Sequence, residues 1–274
     1  MTRNQIIIFG FCAVFGLSVY LFAGTKKPHT ETDTHAEHPE TAPVAEGLDI
    51  EEYVAETAAT IADDAVRQKV EELTAKQNYK ALVSEYIKLD KPLAVLYYSV
   101  KIAEQKNTAD EYSKAGEYAG LLAQTAPDQK ALQWLNETRI ACLEKAEKLN
   151  PSDESKMQLA SAYIEGSNNP MQGVTMLREM VARDSTNIDA QLMLAKFGMV
   201  SGQFDKAIVR LEKILSLAPR NQDALLLLAQ AYENSGETAK AIEVLKTFRS
   251  TVKDAATQKQ VDDYMEGLKK KINS

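Results

Sequence analysis

The pattern of apolar and polar residues divides the chain into three kinds of sequence. Residues 6–23 form an 18-residue run without charge, and a polar stretch follows to about residue 47. From residue 48 onward, apolar residues recur at helical spacing, and Ala, Leu, Glu, Lys and Gln are abundant. Only 12 Gly and 8 Pro occur in 274 residues. The pattern therefore predicts an all-α fold for this third part.

A repeat with a period of about 34 residues runs through the C-terminal half. Pro151, Ser185, Pro219 and Lys253 follow one another at this period, and each closes one predicted helix pair and precedes the next. The blocks 154–187, 188–221 and 222–255 carry small residues at matching places. These residues are Ser161, Ala195 and Ala229 in the first helix, Gly173, Ala207 and Ala241 in the second, and Gly202 and Gly236 in the turn.

Each of these repeated positions has a mechanical role. Small residues allow the two helices of a pair to approach closely, and glycine permits a tight turn between them. Proline cannot continue a helix, so Pro151 and Pro219 separate neighbouring pairs. A fixed period of this length indicates a solenoid of stacked helix pairs rather than a globular enzyme fold.

The repeat resembles the tetratricopeptide repeat (TPR) family, which implies a superhelix whose first helices line a concave face. The whole arrangement from residue 48, including the segment 169–173 (Asn-Pro-Met-Gln-Gly), is also similar to membrane-anchored TPR proteins of Bacteroidetes-type bacteria. That similarity implies a bacterial envelope setting but no particular activity.

The helical region is regular only in part. Residues 48–77 are predicted to form a capping or oligomerisation helix, and 78–153 two degenerate helix pairs, the second with an insertion before Pro151. Residues 154–255 are predicted to form three regular TPRs, and 256–274 a C-terminal capping helix. The prediction is a solenoid of about five helix-turn-helix units.

The apolar run predicts a transmembrane anchor within residues 1–24, because 18 helical residues span about 27 Å. A cleaved signal is the alternative, but Phe22 is bulky near the cleavage position. A lipoprotein signal is disfavoured by Phe11 before Cys12. The flanking charges, Arg3 against Lys26 and Lys27, are nearly balanced and leave the orientation open.

Residues 25–47 are predicted to be an acidic, disordered linker. The stretch 25–56 carries nine acids and two bases, a net charge of −7 that equals the charge of the whole chain. The rest of the chain is balanced, so nucleic-acid binding is not expected. The linker also holds His29, His35 and His38. Their spacing is not HExxH, and a polar linker explains them better than a metal site.

No catalytic constellation is visible in the sequence. After residue 47 there is no histidine and one cysteine, Cys142, which is interpreted as a small buried residue. Neither a GxGxxG nor a GxxxxGK[ST] motif occurs. The sequence predicts no enzyme activity and no cofactor or metal.

The TPR resemblance implies which side chains point into the groove. The candidates for protein binding are Leu192, Lys196, Met199, Leu226, Gln230 and Glu233. Because Lys196 is their only cation, they suit an apolar segment or an amphipathic helix better than a C-terminal carboxylate. The alternative is that they pack between repeats or are covered by the chain's own terminal helices.

The leading hypothesis is a non-catalytic scaffold or adaptor, tethered to the inner membrane through residues 6–23 and binding another membrane or envelope protein. The linker composition favours a periplasmic TPR domain in an accessory subunit for secretion, protein maturation or assembly. The alternatives are a structural envelope protein that self-assembles through residues 48–77 as a homo-oligomer, and a cytosol-facing co-chaperone.

Overall fold

A computed structural model describes residues 47–272, and every regular element in that range is a helix. The predicted anchor (1–24) and nearly all of the linker (25–47) lie outside the described residues. The thirteen helices of the described part are α1 (Ile50–Ala59), α2 (Asp64–Ala75), α3 (Tyr79–Lys88), α4 (Pro92–Lys106), α5 (Ala109–Ala123), α6 (Gln129–Leu149), α7 (Asp153–Gly166), α8 (Pro170–Arg183), α9 (Ile188–Val200), α10 (Phe204–Leu217), α11 (Gln222–Asn234), α12 (Thr238–Thr251) and α13 (Ala255–Ile272).

The helices are arranged in five consecutive pairs, from α3–α4 to α11–α12. Each helix packs on its partner in the pair, and the second helix of a pair packs on the first helix of the next. This is the all-helical solenoid that the period predicts. Pro92 begins α4, the second helix of the first pair, and Pro151 follows the end of α6, the second helix of the next pair.

Residues 48–77 contain two helices instead of the single helix predicted from the sequence. Helix α1 ends before Thr60, and Asp63 begins α2 because its side chain accepts hydrogen bonds from the backbone N–H groups of Ala65 (2.9 Å) and Val66 (3.1 Å). Between the helices, Ile61 is buried in a cluster with α3 and α4. The break therefore lets both short helices bury apolar residues on the first pair.

The ends of the repeated helices are set by local signals. Asn187 and Asn221, which are equivalent in consecutive repeats, start α9 and α11 by accepting hydrogen bonds from the N–H groups of Ala190 and Ala224, both at 2.9 Å. The turns that follow these helices contain Gly202 (φ 72°) and Gly236 (φ 84°), which adopt the left-handed conformation that glycine tolerates. The predicted role of both glycines is confirmed.

Small residues lie where paired helices cross. Ala195, Ala207, Ala229 and Ala241 are all buried. Among the described glycines the approach is closest at Gly173, where a Cβ atom would lie 2.3 Å from the carbonyl oxygen of Ala160, so Ala160 and not the predicted Ser161 lies at this crossing. The backbones of α7 and α8 therefore touch at a point where no larger residue fits.

The last helix, α13, covers the apolar face of α12. Val261, Met265 and Leu268 are buried in the same cluster as residues of α11 and α12, and Arg249 Nε donates to Asp262 Oδ1 at 2.6 Å. The helix begins within one residue of its predicted start at 256. Its burial completes the core at the end of the solenoid.

We expect Gly173→Ala to lower the free energy of unfolding by about 1–3 kcal/mol, because the added methyl group would force α7 and α8 apart. Urea unfolding of the full chain, followed by circular dichroism, measures the change. Gly267→Ala is the matched control, since a Cβ on this exposed residue of α13 meets no atom within 4 Å. It should be neutral or raise stability by up to about 1 kcal/mol. Equal effects of both variants would contradict the crossing argument.

Candidate functional site

A groove of about 750 Å³ opens between α5, α6 and α7. We call it the α5–α7 groove. Its apolar lining includes Leu121, Leu132, Met157 and Met193, the last contributed by α9. Leu121 is 60% exposed, although it is a large apolar residue. The polar lining of the groove includes Glu117, Asn136, Arg139, Glu154, Gln158, Ser161 and Glu165.

The unusual length of α6 shapes this groove. The helix has 21 residues, against 14 in α7, so it is longer by about 10 Å. Gly120 of α5 allows the side chain of Arg139 to cross close to α5, because a Cβ there would lie 2.9 Å from Arg139 Nε. The extra length of α6 is the insertion that the sequence predicts before Pro151.

Arg139 connects α6 with α7 on the groove surface. Its guanidinium donates to Glu165 Oε2 at 2.8 Å and to Ser161 Oγ at 3.4 Å. Ser161 Oγ in turn donates to Glu165 Oε1 at 2.7 Å. The Arg139 side chain is only 17% exposed, so these bonds hold it in place. Its positive charge is thereby balanced within the protein.

The groove keeps a negative charge. Glu117 Oε1 accepts a hydrogen bond from Gln158 Nε2 at 2.8 Å, a neutral partner that joins α5 to α7. Among residues 47–272, neither Glu117 nor Glu154 forms an ion pair. With Arg139 paired to Glu165, two carboxylates remain available to a cationic group.

The C-terminal part of the chain matches a family model. Residues 199–260 match the family described as tetratricopeptide repeat. The matched residues include α10, α11 and α12. None of the curated proteins compared with the chain is significantly similar to it.

The chain is also similar to several solved structures. MamA is 21% identical, with a TM-score of 0.47 over 64% of this chain and 90% of that one. MamA from Desulfovibrio magneticus RS-1 is 15% identical, with a TM-score of 0.46 over 64% of this chain and 93% of that one. YrrB, described as a TPR protein with an unusual peptide-binding site, is 14% identical, with a TM-score of 0.45 over 79% and 98% of the two chains.

The six binding residues predicted from TPR positions do not line the α5–α7 groove. Leu192 and Leu226 are half-buried against the core of the last two TPRs, and Met199 is 5% exposed within that core. These three residues pack between repeats, which is one of the alternatives that the sequence leaves open. Lys196 is exposed.

The other two predicted residues lie near the last helix. Glu233 accepts hydrogen bonds from Tyr264 Oη and, at 2.9 Å, from Lys271 Nζ, both on α13. Gln230 is partly exposed, and its Oε1 atom is buried without a hydrogen-bond partner within the described part of the chain. Hydrogen bonds from the terminal helix α13 therefore already engage the carboxylate of Glu233. Whether any of the six residues binds a protein stays a prediction.

TPR periodicity missed the groove because most of its lining residues lie in the degenerate unit before Pro151. Two sequence features point toward it in hindsight. One is the insertion that lengthens α6, and the other is Leu121, an apolar residue that follows Gly120 near the end of α5. In the third unit, Gln158 and Glu165 of α7 line the groove, although they are not among the six residues predicted from TPR positions.

Between residues 47 and 272, no group of three or more His, Cys, Asp or Glu side chains could hold a metal ion. The three histidines lie outside this range. None of the helices in the same range is both long and apolar enough to cross a membrane.

Cys142 lies on α6 and is buried, as the sequence predicts. Burial, followed by the nearby charge of Glu104, raises the pKa of its thiol to about 11. Because the thiolate is the reactive form, the thiol is both shielded and protonated at neutral pH.

We expect Cys142 to resist alkylation in the folded protein at pH 8 and to react fully in urea. The Cys12→Ser variant of the full chain makes Cys142 the single thiol, and mass spectrometry after iodoacetamide treatment counts the modified molecules. Raising the pH toward 11 should increase the rate of Cys142 alkylation only if the chain also unfolds enough to expose the thiol. Rapid modification of the folded chain at pH 8 would show that the thiol is accessible.

Proposed function

We propose that this protein is a non-catalytic, membrane-tethered scaffold that binds a protein partner in the α5–α7 groove. The observation that carries the proposal is an open groove on the helical solenoid, whose lining includes the exposed side chain of Leu121 together with Leu132 and Met157. Leu121 is exposed there although its removal from water would be favourable by about 2 kcal/mol. A partner that covers Leu121 and Met157 would supply that burial.

The groove favours a particular chemistry of partner. Its apolar lining suits an amphipathic helix or an extended segment with apolar side chains. Glu117 and Glu154 suit lysine or arginine residues beside that apolar stripe, because complementary charges steer association and fix register. A partner with an acidic segment would be repelled.

The position of the groove differs from the surface favoured by TPR periodicity. Met199 is already buried, and Glu233 is held by α13, so a partner would find the predicted surface partly occupied. The α5–α7 groove has no such cover within residues 47–272. We therefore place partner binding in the groove rather than at Leu192, Met199 and Leu226.

Membrane tethering rests on the sequence of residues 6–23, which are apolar, uncharged and long enough to span a bilayer. The acidic linker that follows favours a periplasmic position for the TPRs. On this proposal the protein is an accessory subunit of an envelope complex and confines its partner to the membrane surface.

Leu121→Asp should abolish capture of the groove partner without loss of folding, because this side chain is already 60% exposed. The full chain is isolated from detergent-solubilised membranes, and co-purifying proteins are compared with those of the unaltered chain. Ile87→Asp on α3 is the matched control, as Ile87 is 62% exposed and lies outside the groove. Partners lost from Leu121→Asp and kept by Ile87→Asp support the groove. Identical partner sets for both variants would overturn it.

We expect the TPR domain to be digested when protease is added to spheroplasts, because the proposal places it in the periplasm. Immunoblotting with antibodies against the C-terminal region follows its loss, and a cytoplasmic protein controls for lysis. Protection in intact spheroplasts, followed by digestion after lysis, would place the domain in the cytosol instead. Recovery of the protein in the soluble fraction after lysis would contradict tethering.

A further inference from the structure

A second surface, distinct from the α5–α7 groove, carries an excess of positive charge. Four cationic residues lie on α8 and α10, and we call them the basic face: Arg178, Lys206, Arg210 and Lys213. Within residues 47–272, none of the four forms an ion pair. Three of the four, Lys206, Arg210 and Lys213, line one recess, and Arg178 lies close enough to Arg210 to affect its charge.

The acids on the same helices are directed elsewhere. Glu179 of α8 pairs with Lys156 at 3.6 Å, and Glu212 of α10 accepts a hydrogen bond from Tyr232 Oη at 2.6 Å. Asp205 is the one carboxylate that shares the recess with the cations. The local balance is therefore positive, although the chain as a whole has a net charge of −7.

Arg210 is held in a fixed position. Its Nη1 group donates to Gln191 Oε1 at 2.8 Å, and Gln191 is 5% exposed. Gln191 is itself fixed, because its Nε2 group donates to the carbonyl oxygen of Ser185 at 3.3 Å. The guanidinium is thus attached to a buried amide rather than to a mobile surface group. A rigid guanidinium loses little entropy when it binds a planar anion.

The two arginines lie close enough to affect each other. Burial lowers the pKa of Arg210, and the positive charge of Arg178 lowers it further. An arginine nevertheless stays charged in a protein. The repulsion between the two guanidinium groups is relieved by an anion that contacts both, so the pair favours an acidic ligand.

The shape of this surface also restricts the ligand. A recess of about 520 Å³ is lined by Gln191, Asp205, Lys206, Val209, Arg210 and Lys213. Val209 is 66% exposed within it, so one apolar side chain lies among the cations. A peptide can lie in such a recess with an apolar side chain against Val209. No aromatic side chain lines the recess for base stacking, which disfavours single-stranded nucleic acid.

We propose that the basic face is a second docking surface, which binds an acidic segment of a partner protein through Arg178, Arg210 and Lys213 and places an apolar side chain of that segment on Val209. The carboxylates accept hydrogen bonds from the guanidinium groups, as arginine forks favour. Binding is sensitive to salt, because the contacts are partly exposed. This surface is independent of the α5–α7 groove.

The test measures binding of a fluorescent peptide of alternating Glu and Leu residues to the full chain in non-ionic detergent, by fluorescence anisotropy. A peptide with Gln in place of every Glu tests the need for carboxylates. The Arg178→Gln and Lys213→Gln double variant removes two exposed cations without touching the core. We expect it to bind the acidic peptide about three- to thirtyfold more weakly.

Matched variants keep the result interpretable. Lys130→Gln with Lys145→Gln changes the net charge equally, removes two exposed α6 lysines that are unpaired within residues 47–272, and should leave affinity unchanged. Arg210→Gln should also weaken binding, and circular dichroism checks that the fold survives loss of the bond to Gln191. Leu121→Asp should bind the acidic peptide normally even if it loses the groove partner.

Three outcomes would overturn the proposal. One is equal binding of the Glu and Gln peptides, and another is unchanged affinity in the Arg178→Gln and Lys213→Gln double variant. The third is strong binding of phosphatidylglycerol vesicles or duplex DNA that depends on the basic face when the acidic peptide does not bind. That result would assign the face to a membrane surface or to nucleic acid instead.

Discussion

Close contact between the two helices of each pair is the constraint on which the rest of the solenoid depends. At Gly173 a single added carbon would lie 2.3 Å from the backbone of α7, and alanines occupy the crossings of the next two pairs. Because the paired backbones touch, the large apolar residues have room only between one pair and the next. Leu194, Leu211 and Leu228 are buried there. Each pair therefore needs its neighbours, and α13 and the α1–α2 segment supply them at the two ends.

The second pair departs from this regular packing, and the departure creates the candidate binding site. Helix α6 is 21 residues long, so its surface extends beyond what its neighbours can cover. The polar bonds of Arg139 and Glu117 then join α6 and α5 to α7 around an open, apolar centre. In the regular pairs the corresponding side chains are covered, since Met199 is buried in the core and Leu192 packs against it half-buried. Irregularity here leaves a surface uncovered, and a partner can use it.

The opposite charges of the two surfaces depend on which ionic side chains already have a partner within the protein. In the α5–α7 groove the cation Arg139 is neutralised internally, which leaves Glu117 and Glu154 available. On the basic face the carboxylates Glu179 and Glu212 are engaged elsewhere, which leaves the cations available. Surface ion pairs contribute little to stability, so their arrangement is free to serve recognition. A scaffold with two such surfaces can hold an apolar, basic segment and an acidic segment at once.

The sequence alone determined the elements that depend on neighbours within one turn or one repeat. The small crossing residues recur in the three regular repeats and the glycine turns in the last two, so the pairs from α7 to α12 were predictable. The signal weakens before Pro151, where Asp90 and Asn107 take the left-handed turn conformation that Gly202 and Gly236 take later. The division of residues 48–77 into two helices was not predicted either. The apolar stripe in this segment is weak, and the side chain of Asp63 caps a second helix within it.

The tertiary structure alone decided which side chains remain open. Arg139 and Glu165 are 26 residues apart, Glu117 and Gln158 are 41 apart, and Glu233 and Lys271 are 38 apart. No local pattern reports such contacts, and a helix position says only which face a residue occupies. Whether that face is covered depends on the length of the neighbouring helix and on which later helix packs against it. The repeat period therefore defines the solenoid, whereas the packing of α6 and α13 decides where a partner can bind.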